Sequence, residues 1–197
     1  MIRKATYEDA HAIAELTYMI WQDMELEIVQ RYAKSTVIHA LMKSITDVHY
    51  RNALTHVHVY EVNQQVAGMI VAYPGKNEAQ YEKEWERLQF DTPIELEHTT
   101  PLPVLEADED DIYIESIATF PEFRGRGIAR QLMRYLLSSD NHATWGLNCE
   151  YINEKAYQLY RKMGFETIKD KMLYGHRYRY MKSVSYTHLT LPTTPYV

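Results

Sequence analysis

A single cysteine, Cys149, stands among the 197 residues, so the chain can form no internal disulfide and nothing in it points to an oxidising compartment. No apolar run approaches the ~20 residues needed to cross a bilayer. The opening residues, Met1-Ile2-Arg3-Lys4-Ala5, carry no apolar core of a secretion signal. Basic charge is also short: Lys and Arg number 21 against 27 Asp and Glu, a net −6, which is the wrong balance for a nucleic-acid footprint. These absences lead to the expectation of a cytoplasmic protein without membrane or nucleic-acid partners. What remains is 46% apolar and 24% charged, ordinary for one globular domain with a real core.

The periodicity predicts an α/β domain, more strictly α+β. Ile2 to Ala5 reads as a strand, and Thr6 with Asp9 reads as a capping box. Ala10, Ile13, Leu16 and Ile20 recur at helical spacing to about Trp21, and Val37 to Val48 repeats the pattern. His56 to Tyr60 alternates as a strand, Asn63-Gln64-Gln65 turns, and Val66 to Tyr73 returns as a buried strand. Pro74-Gly75 opens a long irregular region with a helix around Glu78 to Phe90 and an acidic run from Glu106 to Asp111. A loop of this length within one domain calls for a function or for disorder. Ile112 to Phe120 is then a strand, Ile128 to Leu137 a helix, Thr144 to Cys149 a strand, and Asn153 to Met163 a helix. Phe165 to Leu173 and His176 to Met181 close the chain as strands joined at Tyr174-Gly175.

The stretch Ser183 to Val197 contains no Asp, Glu, Lys or Arg. It resembles a translated vector or adaptor sequence and is read as a non-native or disordered tail, which leaves 1–182 as the domain.

Between a strand and a helix lies Arg124-Gly125-Arg126-Gly127-Ile128-Ala129-Arg130. Glycines there let the backbone approach an anion closely, and the N–H groups of a helix start favour negative charge. No Lys-Ser/Thr pair follows the second glycine, so this is not a nucleotide P-loop. It also lacks the third glycine of a dinucleotide fingerprint. Alone, the turn is equally a tight strand-to-helix connection. The surroundings decide. Ile117-Ala118-Thr119-Phe120-Pro121-Glu122-Phe123 leads into the turn, and Asn153-x-x-Ala156-x-x-Leu159-Tyr160-x-x-x-Gly164-Phe165 follows it. The two segments, in this order and spacing, resemble the two signatures of the GNAT superfamily of N-acetyltransferases. Thr119 replaces the usual valine, and Ala129 replaces the last glycine.

The resemblance implies the GNAT fold over 1–182: a central mixed, mostly antiparallel sheet flanked by helices, with a long insertion between the third and fourth strands. It implies acetyl-CoA as co-substrate and no metal. Main-chain groups of Ile117, Ala118 and Thr119 would align the thioester and pantetheine; Arg124, Gly125, Arg126, Gly127, Ile128, Ala129 and Arg130 would hold the pyrophosphate; Asn153 would contact the CoA arm. Tyr160 falls on the general-acid position, its plainer reading being a core tyrosine. Glu115 is a candidate general base, placed on one face with Ile117 by strict strand alternation; its plainer reading is an exposed or ion-paired residue. Relatives with a glutamate on the next strand would have it where this chain has Asn148. His56 and His58 read as solvated strand residues, and Cys149 as a small strand residue.

The expected activity is transfer of acetyl to a primary amine of a small molecule or peptide by direct attack in a ternary complex. The alternative is a GNAT-fold module that binds or senses acyl-CoA without turnover. The acceptor region would come from Met19 to Ile28, Pro74 to Asp111, and Tyr174 to Tyr178. The acidic run reads either as a solubility feature or as a cover that attracts a cationic amine. No motif encodes the oligomeric state, and a homodimer is compatible with the sequence.

Overall fold

In the computed structural model, which describes residues 1–183, seven strands form one open sheet in the order β1-β2-β3-β4-β5-β7-β6. The strands are β1 (Ile2–Lys4), β2 (Val57–Val62), β3 (Gln65–Pro74), β4 (Ile112–Thr119), β5 (Trp145–Glu150), β6 (Phe165–Leu173) and β7 (His176–Ser183). Only β4 and β5 run parallel; every other pairing is antiparallel. The helices are α1 (Ala10–Asp23), α2 (Glu27–Arg31), α3 (Lys34–Thr46), α4 (Glu78–Lys83), α5 (Ile128–Leu137) and α6 (Glu154–Lys162). Strand β7 runs to Ser183, two residues past the strand end expected at Met181 and one past the expected domain end at 182, and Ser183 Oγ accepts from the Trp145 N–H at 2.9 Å. The rest of the expected tail, 184–197, lies outside the described residues.

Each face of the sheet carries its own core. On one face α1 and α3 bury Ile13, Leu16, Trp21, Val37 and Leu41 against Val57, Val59, Met69 and Tyr73. On the other, Ile128, Leu132 and Leu136 of α5 recur four residues apart and meet Ile70, Ile114, Leu147 and Phe165. At the start of α1 the capping arrangement forms as expected: Asp9 Oδ2 accepts from the Thr6 N–H at 2.8 Å, and Arg3 clamps the same carboxylate at 2.7 and 3.0 Å. The hairpin turn at Tyr174-Gly175 has both residues at positive φ, 52° and 81°, which matches the right-handed twist of the strands it joins.

Three expectations need correction. Helix α2 was not foreseen; at five residues with only Ile28 buried it has almost no period to read, although Glu27 and Arg31 pair at 2.5 Å across one turn. The helix expected over Glu78 to Phe90 is regular only to Lys83 and tightens to a 3-10 turn over Glu84–Arg87. That turn drives Trp85 into the core between Trp21 and Tyr50, with ring centroids 6.1 and 5.4 Å away. His56 is not a solvated strand residue. It sits in a 3-10 turn before β2, buried, with Nδ1 2.8 Å from the Arg51 carbonyl and Nε2 2.9 Å from His49 Nε2.

The insertion between β3 and β4 is held by buried charge. Arg51, itself fully buried, faces Glu78 Oε1 at 3.0 Å, Glu82 Oε2 at 2.5 Å and Glu106 Oε1 at 3.5 Å, and donates to the Leu102 carbonyl at 2.8 Å. Glu78 also accepts the N–H groups of Glu106 and Ala107, and Glu82 that of Leu102. The acidic run is therefore not merely a solvated stretch: Glu106 and Asp111 are buried, and Asp108 pairs with Lys169 and Lys182. One cation satisfies carboxylates that would otherwise be stranded away from water. Replacing it, Arg51→Met, should cost about 3–5 kcal/mol of unfolding free energy in urea titration. A loss below about 1 kcal/mol, the scale of exposed pairs, would show that these carboxylates are solvated instead.

Candidate active site

Strands β4 and β5 pair at only three positions, Ile112 with Trp145, Tyr113 with Gly146 and Ile114 with Leu147. Beyond Leu147, β5 stays with β7, and beyond Ile114, β4 stays with β3. The two strands thus splay apart, and the β5-facing backbone of Ile117, Ala118 and Thr119 has no strand beside it. A bulge helps to open this gap. Ser116 pairs with Val71 and Ile114 with Ala72, leaving Glu115 as the extra residue.

The bulge overturns the simple alternation expected for β4. Ile117 packs with the α5 side of the sheet. Glu115 faces the other side, where Arg51, Glu106, Glu78 and Glu82 all act on it. Burial raises its carboxyl, Arg51 opposes this, and the neighbouring glutamates add to it, so that Glu115 is pushed up to about 8. Its Oε2 is buried without a hydrogen-bond partner.

At the mouth of the splay the chain makes a 3-10 turn over Pro121–Phe123 and enters α5 through Arg124 to Gly127. Gly125 and Gly127 have φ of +79° and +73°, and a Cβ built on either meets no protein atom within 4 Å. Glycine is needed here for the backbone conformation and not for lack of room. The Arg124 N–H is the last before the helix to find an acceptor, at the Pro121 carbonyl, and the Gln131 N–H is the first within it, at the Gly127 carbonyl. Among the described residues, the six N–H groups from Gly125 to Arg130 donate to no protein acceptor. They form a row of main-chain donors at a helix N-terminus, flanked by the exposed side chains of Arg124, Arg126 and Arg130. Arg124 Nε rests on the Thr119 carbonyl at 3.2 Å, and the Arg126 guanidinium lies over the Phe123 ring at 5.2 Å. Ile128 puts its side chain in the core and leaves its N–H at the site.

Asn153 caps α6, its side-chain Oδ1 accepting the Ala156 N–H at 3.1 Å. Tyr160, on the same helix, lies on the α5–α6 face with Phe165, ring centroids 6.3 Å apart. Burial raises its phenol well above the usual range, and its hydroxyl makes no hydrogen bond among the described residues. Cys149 lies close by, buried, its thiol pushed up to about 11 by desolvation; a thiol held protonated is no nucleophile. Asn148 donates from Nδ2 to the Glu106 carbonyl at 3.1 Å and to the Tyr113 hydroxyl at 3.0 Å, so it ties β5 to the insertion.

A profile of the acetyltransferase (GNAT) family matches residues 13–165. The chain belongs to the GNAT family of acetyltransferases. A solved N-acetyltransferase from Staphylococcus aureus Mu50 is 49% identical, with a TM-score of 0.88 over 92% of this chain and 99% of that one. A second solved acetyltransferase is 28% identical, TM-score 0.76, over 94% and 99% of the two chains. The ribosomal-protein-alanine N-acetyltransferase of Brucella melitensis, 18% identical with a TM-score of 0.55 over 93% and 99%, shares the fold. No curated protein sequence matches the chain.

Two features of this GNAT domain escaped the motif reading. Arg51 lies in a turn after α3, with no local pattern to mark it as buried. Glu150 and His176, paired at 2.6 Å, come from the end of β5 and the start of β7, and only the register of those strands unites them.

Two outcomes follow from the site geometry. Gly127→Ala places a side chain at φ +73° and should lose about 1 kcal/mol of stability, read by urea unfolding. The folded Glu115 carboxyl binds its proton more tightly than the unfolded one. Its contribution to stability is therefore complete below the usual 4.5 and lost as pH rises to about 8. The melting temperature should fall across that window, and Glu115→Gln should flatten the fall.

Proposed function

We propose that the protein is an N-acetyltransferase that moves acetyl from acetyl-CoA to a primary amine of a small molecule or peptide, by direct attack in a ternary complex. The observation that carries this reading is the row of six unpaired N–H groups from Gly125 to Arg130 at the mouth of the β4–β5 splay. Such a row suits the pyrophosphate of CoA, with the guanidinium groups of Arg124, Arg126 and Arg130 adding charge. The pantetheine arm would run along Ile117, Ala118 and Thr119, whose edge toward β5 is unpaired, and past the free amide nitrogen of Asn153.

Acyl transfer from a thioester needs a base for the amine, donors for the oxyanion and an acid for the thiolate. Glu115 is the proposed base: a carboxyl pushed up to about 8, with an unpartnered oxygen, can take the amine proton through water. The amine nitrogen then bonds to the acetyl carbon, and the C–S bond breaks as the tetrahedral intermediate collapses. Tyr160 is the proposed acid. Its raised phenol keeps its proton at neutral pH and gives it to the departing sulfur. The same reading assigns 1–182 to the catalytic domain, needs no metal, and places the enzyme in the cytoplasm.

The first test is CoA-thiol release from acetyl-CoA over polyamines, aminoglycosides, amino acids and basic peptides. Release with one acceptor class is the expected result; acetyl-CoA binding with silence across the panel would favour a sensing module. Tyr160→Phe should lower kcat by about 10²-fold or more with acetyl-CoA affinity unchanged. In Glu115→Gln the rise of kcat/KM with pH toward about 8 should disappear. An unmoved pH profile would remove Glu115 from the mechanism.

A further inference from the structure

Glu115 and Asn148 stand at matching positions where the splay begins. The β4–β5 ladder ends at Ile114 with Leu147, and the next residue is Glu115 on one strand and Asn148 on the other. Both turn to the insertion side of the sheet. Asn148 reaches Glu106 and Tyr113 there, and Glu115 lies in the field of Arg51, Glu106, Glu78 and Glu82. Leu147 and Cys149, by contrast, belong to the α5–α6 side.

The Asn148 amide has one possible orientation. Its end group lies 3.1 Å from the Glu106 main-chain carbonyl, which only accepts, so the atom placed there must be Nδ2. The second N–H goes to the Tyr113 hydroxyl at 3.0 Å, and that hydroxyl passes its own hydrogen to Glu106 Oε2 at 2.8 Å. Glu106 is fixed in turn. Its Oε1 faces Arg51 at 3.5 Å and accepts from the Tyr174 hydroxyl at 3.4 Å, and its carbonyl also takes a hydrogen from the Lys171 ammonium. Every hydrogen in this chain has one direction, and both Asn148 donors are spent. Its Oδ1 is left over, buried, and without a protein partner among the described residues.

Tying β5 to the insertion needs only the nitrogen of Asn148. The oxygen is a strong acceptor, because donating both hydrogens polarises the amide, and a buried acceptor without a donor costs free energy. Glu115 Oε2 is likewise buried and unpartnered. An ionised Glu115 offers acceptors alone and repels an amide oxygen. A protonated carboxyl has one O–H, and that hydrogen satisfies both residues at once. The surroundings favour the protonated form: burial promotes it, Arg51 opposes it, and Glu106, Glu78 and Glu82 reinforce burial. Tyr50 and Tyr73, whose buried phenols also feel Glu115, bring no positive charge.

We propose that Asn148 is the positioning residue of Glu115: its amide oxygen, aimed by Glu106 and Tyr113, accepts the carboxyl hydrogen of Glu115 at the first open position of the splay. This rests on the reading of Glu115 as the base and deepens it by naming the group that holds the hydrogen the base takes up. A hydrogen bond made only to the neutral carboxyl makes the carboxylate a stronger base. The amine proton ends on Glu115 and stays there; Asn148 shares it through the hydrogen bond and forms no covalent bond.

The test is a pH titration of the full chain, without ligand, by carbon NMR of Glu115 Cδ and Asn148 Cγ. Glu115→Gln and Asn148→Ala assign the two signals. In the wild type both should move together, with a midpoint of about 8. Asn148→Ala should bind the Glu115 proton about tenfold less tightly, and Asn148→Asp, which puts a carboxylate beside it, more tightly. A role confined to tying β5 to the insertion predicts an Asn148 signal indifferent to Glu115, and equal proton affinity in wild type and Asn148→Ala. Either result overturns the proposal. Should Asn148→Ala fail to fold, the two wild-type signals decide alone. These signals need neither acetyl-CoA nor an acceptor, so they stand apart from the CoA-release assay. Coupled signals with no CoA release from any amine support the pair and count against acetyl transfer. CoA release with an indifferent Asn148 signal counts against the pair alone.

Discussion

Everything distinctive in this domain follows from the hydrogen bonding between β4 and β5, which stops after three residue pairs. A parallel pair that continued would bury both edges and leave a closed sheet. Here each strand keeps its outer partner, β3 or β7, and the inner edges separate. The sheet stays continuous because those outer ladders are long, while its middle leaves strand edges unpaired. Unpaired backbone inside a domain costs free energy unless water or another partner meets it, which is why the proposed function places the acetyl donor there.

The loop at the mouth of the gap obeys the same logic. A helix must begin with N–H groups that find no partner within it. Gly125 and Gly127, at positive φ, turn the chain so that these donors adjoin those of the preceding turn. Arginines on the exposed face raise the local potential without entering the core, and Ile128 anchors the first turn beneath them. In Ile128 the side chain serves the core while the backbone N–H stays free of protein partners.

On the opposite face, the Arg51 cluster couples the insertion to β4. One guanidinium balances Glu78, Glu82 and Glu106 and lies in the field of Glu115. The bulge that opens the splay also turns Glu115 toward this cluster. The charge of Glu115 is therefore set by residues from the insertion and from the turn after α3 as much as by its own strand. Asn148 adds a neutral tie from β5 to the Glu106 carbonyl. The insertion is part of the electrostatic setting of the gap.

The family, the order of the strands and of every helix but α2, and the glycine turn were legible in the sequence. Each rests on local chemistry: hydrophobic period, positive-φ glycines, and two spaced signatures. The helix α5 from Ile128 to Leu137 fell where its period placed it, because four-residue spacing of Ile128, Leu132 and Leu136 is a strong local signal. Only the tertiary structure could decide the face of Glu115, since one inserted residue in β4 reverses the alternation and sequence spacing does not reveal a bulge. Only it could show Arg51, Glu78, Glu82 and Glu106 as a buried cluster, because charged residues read as solvated until distant segments desolvate them together. The pairing of Glu150 with His176 has the same origin. It depends on the register of β5 against β7, a long-range choice made by the packing of both cores and carried by no local pattern.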